Sequence, residues 1–245
     1  MRLLALETAT VEVGAAIAVD GEVRAAVAVR PGRRHAETLH PAIAAALQLA
    51  GVGIDELDAV AVDVGPGLFT GLRVGIAAAK TFAFARAVPL VACTSTDVLH
   101  HATRHVGGSV AAVVDMRRGE LAVALRRPGA PPGALRLCTP DELAAELAAL
   151  DGPVVAVGDG ARRHAARLAA ARATAGRPPL AVGGDELGAP PVASLALLAA
   201  ARLAGHASAG ADPVAVEPVY LRPVDARINW TTRDAPAGAA ARGGG

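Results

Sequence analysis

The chain has 245 residues, of which 53% are hydrophobic and 2% aromatic, and its formal net charge is +1. This length suits one large domain or two small ones, and the composition predicts a core of Ala, Val and Leu. The near-neutral charge excludes a global attraction to nucleic acid or membranes, and two cysteines are too few for a disulfide framework. Because apolar runs are short and Glu7 interrupts the N-terminal one, we expect a cytoplasmic protein without a membrane span.

The N-terminal part predicts an antiparallel meander followed by a helix. Residues 2–9, 13–21 and 22–30 form three apolar or β-branched runs, and Asp20-Gly21 is a strong hairpin signal. A helical stripe over 38–50 then ends where Gly51 provides a stop signal. Pro41 is tolerated in this prediction because it lies in the first helical turn.

The next segment predicts alternating strands and helices. Residues 57–65 form a continuous apolar run typical of a buried strand, and the glycine-rich GPGLFTGLRVG then leads into a helix that ends near Arg86. A short strand over 89–93 precedes a helix whose start is marked by Thr94 and Asp97, three residues apart as in a capping box.

A second round of the same plan follows. Strands are predicted on both sides of the turn at residues 117–119, and the remaining elements are helices over 140–150, 161–172 and 192–204 and strands over 153–158 and 180–183. Two α/β lobes of similar plan are typical of the actin, Hsp70 and sugar-kinase (ASKHA) superfamily. We expect an N-terminal lobe over 1–106, a reduced C-terminal lobe over 107–224, and a disordered tail over 225–245.

The stretch CTSTDVLHHATRH raises the question of a metal site. His101 and His105 are four residues apart, which places both imidazoles on one face of a helix. No Glu lies between them, and Cys93 lies beyond the predicted helix start. A solvated or packed helix face is the favoured interpretation.

Two other patterns leave alternatives open. GPGLFTGLRVG is either a phosphate cradle at a helix start or a sharp turn between a buried strand and a closely packed helix. The arginine pairs at 33–34, 117–118 and 162–163 are either contact points for an anionic partner or scattered solvated charge, and the near-neutral chain favours the second.

The combination of ALETATVEVGAAI, HAETLHP, GPGLFTGLRVGIAAAKTFAFARAVPLVACTS and EPVYLRP resembles the bacterial family known as TsaB. The similarity runs over nearly all of residues 1–224, although the family usually has serine where this chain has Leu68. The resemblance implies the dimerisation subunit of the complex that makes threonylcarbamoyladenosine on tRNA. It also implies a TsaD-like transferase of the same fold and a TsaE-like ATPase as partners, with tRNA engaged through the complex.

The resemblance also bears on metal and nucleotide. At the positions where the TsaD-like sister transferase has its two metal-binding histidines, this chain has Ser95 and Leu99. A neutral serine is a poor metal ligand, and a leucine cannot coordinate a metal. The two phosphate-binding turns of the sister transferase are not preserved in this chain. His35 and His40 point about 140° apart on a helix, so they cannot share a metal ion there. We therefore expect no catalytic residue, no metal and no cofactor of the chain's own. Metal-dependent hydrolysis of the glycoprotease type and small-molecule phosphorylation in the interlobe cleft remain as alternatives.

The second predicted helix suggests a partner surface because it is apolar all round. One side suits the sheet, and the other carries small apolar residues together with Phe84. With the back of the first helix, this side is expected to bind the transferase, or a second copy of the chain in its absence. The predicted interface comprises Ala44, Ala45, Gln48, Arg73, Val74, Ala77, Ala78, Thr81 and Phe84. The alternative is that residues 87–110 of the same chain cover it.

Overall fold

A computed structural model of the chain describes residues 1–30, 32, 34–205, 210 and 212–221. The strands in these residues are β1 (Arg2–Glu7), β2 (Val13–Val19), β3 (Glu22–Val29), β4 (Ala59–Asp63), β5 (Leu90–Cys93), β6 (Ser109–Asp115), β7 (Leu121–Arg126), β8 (Arg136–Cys138), β9 (Val154–Val157) and β10 (Leu180–Val182). The α-helices are α1 (His35–Ala50), α2 (Phe69–Arg86), α3 (Ser95–Ala102), α4 (Pro140–Ala148), α5 (Asp159–Arg163), α6 (Ala165–Thr174) and α7 (Val192–Gly205). None of these helices combines the length and apolar character that crossing a membrane requires.

The two lobes repeat one sheet topology. The first sheet has the order β3-β2-β1-β4-β5, and the second has the equivalent order β8-β7-β6-β9-β10. In each sheet the first three strands of the chain pair antiparallel and the last two pair parallel. This duplication confirms the predicted ASKHA fold, and the reduction of the second lobe lies in its short strands.

Three local predictions were wrong. The strand β8 was not predicted, because three residues carry too little periodicity. The helix predicted over 161–172 divides at His164 into α5 and α6. Helix α1 begins at His35 rather than Thr38, so Pro41 lies in its second turn, while Gly51 ends the helix with φ of 65° as predicted.

The first sheet is covered on both faces. One face packs against α1 and α2 through an apolar core that includes Leu39, Leu72 and Ile76. The opposite face packs against α3 and α7 through residues such as Val98, Leu195 and Ala199. Because α1 and α2 share one side of this sheet, their outward faces are available to form one surface.

Two helices connect the lobes. Helix α3 places Val98 in the core of the first sheet and Leu99 in that of the second. Helix α7 follows the last strand of the second sheet, yet it packs against the first. The division of the chain into domains 1–106 and 107–224 therefore stays a prediction, and the predicted tail 225–245 lies outside the described residues.

Candidate partner interface

The outward faces of α1 and α2 contain the residues predicted for partner binding. Six of the nine are exposed, namely Ala44, Gln48, Arg73, Ala77, Thr81 and Phe84. The other three, Ala45, Val74 and Ala78, are half-buried. Phe84 is 56% exposed, an unusual position for an aromatic side chain of a chain with three phenylalanines.

The opposite side of α2 packs on the sheet as its periodicity predicts. Leu72, Ile76, Ala79 and Ala83 are buried there. The alternative, that residues 87–110 bury the outward side of α2, is contradicted. In this segment, β5 is a strand of the sheet, and α3 packs on the face of the sheet opposite α2. Within the residues that the structure describes, an apolar side of α2 thus remains in water, which is typical of a surface that binds a partner.

A segment near the C-terminus, residues 214–220, borders this surface. The sequence pattern did not predict this contact. Val216 is buried against the core that α2 shares, and the Val219 N–H donates to Val64 O at 2.8 Å. Lys80 Nζ donates to Val214 O at 3.2 Å, so this segment lies along α2. The sequence signal for this segment is EPVYLRP, one of the stretches that carry the family resemblance.

An aromatic and cationic group joins this segment to the start of α2. The Phe69 and Tyr220 rings lie 5.6 Å apart, and the Arg73 guanidinium lies 3.9 Å from the centroid of the Phe69 ring. Such a cation–π contact is favourable by about 0.5–1 kcal/mol at exposed sites. Arg73 is therefore held in place at the edge of the predicted interface.

The glycine-rich stretch at the start of α2 is filled by the chain's own backbone. A Cβ on Gly67 would lie 2.0 Å from Ala9 O, and one on Gly71 would lie 2.1 Å from Thr8 O. The Leu68 N–H donates to the same Ala9 O at 2.6 Å. Of the two interpretations left open, this geometry favours the close packing of strand and helix over a phosphate cradle.

A buried carboxyl pair lies beneath this stretch. Glu7 and Asp63 end the adjacent parallel strands β1 and β4, and both are fully buried. Glu7 Oε1 accepts from the Ala9 N–H, and Asp63 Oδ1 from the Gly65 N–H, each at 2.7 Å. Within the described residues, the second oxygen of each carboxyl group has no other partner, and a proton held between the two groups would satisfy both.

The environment of this pair disfavours its charged form. Burial raises the pKa of Asp63 to about 6. Burial, together with the neighbouring Asp63, raises the pKa of Glu7 well above its ordinary value. The pair joins the loops after β1 and β4, and these loops position the start of α2.

We expect Glu7→Gln to weaken the pH dependence of stability. Raised folded-state pKa values mean that the unfolded chain ionises first, so this contribution to stability is present below about pH 4 and is lost as pH rises through about 6 and beyond. A glutamine amide can still donate to Asp63 without ionising. Melting temperatures measured between about pH 4.5 and 7.5 should fall less in the variant than in the unmodified chain.

Exposed Glu22→Gln is the matched control, since it removes one carboxylate from the surface. Equal slopes in the Glu7→Gln protein and the unmodified chain would show that the pair holds no proton.

The histidine-rich stretch does not have the geometry of the predicted metal alternative. Helix α3 ends at Ala102, so His101 and His105 do not share a helical face. His100 is buried, and its Nε2 lies 3.1 Å from Ala124 O. Within the described residues, no group of three or more His, Cys, Asp or Glu is placed to hold a metal ion.

The residues at the sister transferase's ligand positions serve packing. Ser95 and Leu99 are fully buried. Ser95 Oγ lies 2.9 Å from both Asp63 Oδ1 and Pro66 O. The predicted capping box is confirmed: Thr94 Oγ1 accepts from the Asp97 N–H at 3.1 Å, and the Asp97 carboxylate accepts from the Thr94 N–H.

The histidines of HAETLH separate as predicted. His35 is buried as the first residue of α1, with its Nε2 2.8 Å from Thr10 O, whereas His40 is exposed. The two imidazoles therefore have different environments.

Three arginines of the arginine pairs form ion pairs within the chain. Arg117 and Arg163 both contact Asp115, at 3.2 and 3.0 Å, and Arg162 contacts Asp185. Arg33 lies outside the described residues. The pair of Arg162 and Asp185 is exposed on both sides and contributes little to stability, about 0–1 kcal/mol, whereas Asp115 is buried.

In sequence, the chain is similar to one family model and to two curated relatives. A family model described as "TsaD: tRNA N6-adenosine threonylcarbamoyltransferase" matches residues 28–129. The chain is also similar to the "tRNA threonylcarbamoyladenosine biosynthesis protein TsaB" of Bacillus subtilis (strain 168), with 30% identity over 121 residues that cover 49% of this chain and 53% of that protein. The protein of the same name from Escherichia coli (strain K12) is 32% identical over 123 residues, again with 49% and 53% covered. The chain thus spans about half the length of these curated relatives.

The similarity in three dimensions is more extensive. "YeaZ from Pseudomonas aeruginosa" superposes with a TM-score of 0.73 and 27% identity, over 90% of this chain and 99% of that one. The structural match therefore includes both lobes, whereas the sequence matches cover part of the chain.

Proposed function

We propose that the chain, which resembles TsaB proteins over about half of its sequence and a YeaZ structure over 90% of its length, is a subunit of the cytoplasmic assembly that makes threonylcarbamoyladenosine on tRNA. Its role in this proposal is that of a scaffold without catalysis of its own. It binds a TsaD-like transferase, and a TsaE-like ATPase and the tRNA join the same assembly. The names of the relatives support the process, and the geometry of this chain supports the role.

The observation that carries the scaffold role is the uncovered apolar side of α2. A helix that is apolar all round is expected to be buried on two faces. Within the described chain, the sheet buries one face of α2. Ala77 and Ala78 leave room for the close approach of another helix, and Phe84 supplies a large apolar contact. The transferase, as a protein of the same fold, would present helices of comparable shape.

The proposed absence of independent catalysis is supported by Ser95 and Leu99, the residues at the positions of the sister transferase's metal ligands. Ser95 lies beside Asp63, and its hydroxyl is directed to partners within the chain. Leu99 belongs to the core between the lobes. Neither side chain provides a ligand for a metal ion.

Co-expression tests the proposal directly. We expect the tagged chain to retain the TsaD-like transferase of the same organism on an affinity column, and the pair to elute together in size-exclusion chromatography. Separate elution of two folded proteins would contradict the scaffold role. Omitting the chain from a reconstituted reaction with tRNA should abolish product formation, whereas undiminished product from transferase and ATPase alone would contradict the subunit assignment.

A further inference from the structure

A cavity of about 310 Å³ lies between α3, α7 and the end of β7. It is on the face of the first sheet opposite α1 and α2, so it remains outside the proposed partner surface. The polar residues that line it are Asp97, His100, His101, Arg104, Arg126 and Arg202. Four residues of the histidine-rich stretch that suggested a metal site thus line this cavity instead.

The charges around the cavity do not balance. Among the described residues that line the cavity, three guanidinium groups face one carboxylate, that of Asp97, which pairs with Arg202 at 2.8 Å. Arg126 Nη2 donates to Thr103 O at 2.8 Å, but its Nε is buried without a hydrogen-bond partner. Arg104 is exposed at the rim. The site therefore has surplus positive charge and an unused donor.

The two histidines add unsatisfied polar atoms. His100 is 5% exposed, and because its Nε2 donates to Ala124 O, the opposite ring atom Nδ1 is left without a partner. His101 Nδ1 is likewise buried and unpartnered. Buried polar atoms in folded proteins nearly always have partners, so a bound group is the expected way to satisfy these atoms.

We propose that this cavity binds a small phosphate-bearing molecule. Arginine guanidinium groups present paired donors that match the oxygens of phosphate, and charge-assisted hydrogen bonds of this kind are the strong ones. A phosphate near neutral pH holds one exchangeable proton, which forms a hydrogen bond with His100 Nδ1 whichever of the two atoms carries it. The proposal does not depend on the function of the partner surface.

Titration of the full chain with inorganic phosphate by isothermal calorimetry tests this site. We expect saturable binding in the millimolar range, and Arg104→Glu should weaken it about tenfold or more, because a repelling charge replaces an attracting one. Arg24→Glu is the matched control, since Arg24 is an exposed arginine on the edge strand β3 and does not line the cavity. No saturable heat, or equal affinities of the two variants, overturns the proposal.

A second variant keeps the charge and removes the unpartnered donor. Arg126→Lys should weaken phosphate binding while melting near the temperature of the unmodified chain, because lysine still reaches toward Thr103 O but has no Nε–H. Unchanged affinity in this variant overturns the assigned role of Arg126.

Comparison of anions separates phosphate from other ligands. Sulfate holds no proton near neutral pH, so it cannot donate a hydrogen bond to His100 Nδ1, and it gains this contact only when the histidine is protonated. Burial is the first cause that lowers the pKa of both His100 and His101. At His100 the hydrogen bond to Ala124 O and the charge of Asp97 oppose this lowering of the pKa, and Arg126 adds to it. At His101 the neighbouring Arg104, Arg202 and His105 lower the pKa further. Sulfate affinity should therefore increase as pH falls below 6.5, the ordinary histidine value, while phosphate binds at neutral pH. Tighter binding of malonate than of phosphate at pH 7 would overturn the phosphate assignment.

Discussion

Ala77→Arg and Phe84→Glu should each abolish binding of the TsaD-like transferase while leaving the melting temperature of the isolated chain nearly unchanged. Both positions are exposed, so an introduced charge remains hydrated in the free chain. On docking, the same charge would be buried without a counter-ion, which costs several kcal/mol. A loss of about 4 kcal/mol weakens an affinity about a thousandfold.

Two control substitutions make this result specific to the proposed surface. Ala201→Arg introduces the same side chain at an exposed position of α7, on the other face of the sheet, and should leave complex formation intact. Ala79→Arg lies on the same helix but in the core, and should unfold the chain. Size-exclusion chromatography with the transferase and thermal melting measure both quantities. A normal complex with Ala77→Arg and Phe84→Glu would exclude this face of α2 as the interface.

The two sides of α2 were predictable because helical periodicity is a local property. Adding 100° per residue separates the buried Leu72, Ile76 and Ala79 from the exposed Ala77 and Phe84 without knowledge of the fold. Low aromatic content helped, because a phenylalanine on the side of a helix that faces away from the sheet is conspicuous. Periodicity does not, however, identify which element packs against each side of the helix.

The non-local contacts explain the parts of the site that were missed. Tyr220 and Phe69 are about 150 residues apart in sequence and meet only because the chain returns to α2 after the second lobe. His101 and Arg202 line one cavity for the same reason. By contrast, Glu7 could have been recognised from sequence, since a carboxylate at the end of an apolar strand must find a buried partner or a proton.

Gly67→Ala and Gly71→Ala should each strongly destabilise the chain. The added Cβ atoms would lie 2.0 Å from Ala9 O and 2.1 Å from Thr8 O, and real Cβ atoms do not approach oxygen so closely. The obstacle is backbone and not the movable end of a side chain, so the loop after β1 or the start of α2 would have to shift. For Gly67→Ala that shift also weakens the hydrogen bond from the Leu68 N–H to Ala9 O.

We expect a loss of about 3 kcal/mol or more for either variant, at the upper end of what overpacked positions show. Gly107→Ala is the matched control, because a Cβ there has open space and the backbone is not in the left-handed region. Denaturant unfolding measures the difference in free energy, and near-equal midpoints for Gly67→Ala and Gly107→Ala would contradict the packing geometry. A destabilised chain whose remaining folded fraction still binds the transferase would show that these glycines act in folding. Loss of binding at full stability would assign GPGLFTG to the interface itself, and so separate the two roles that the motif can have.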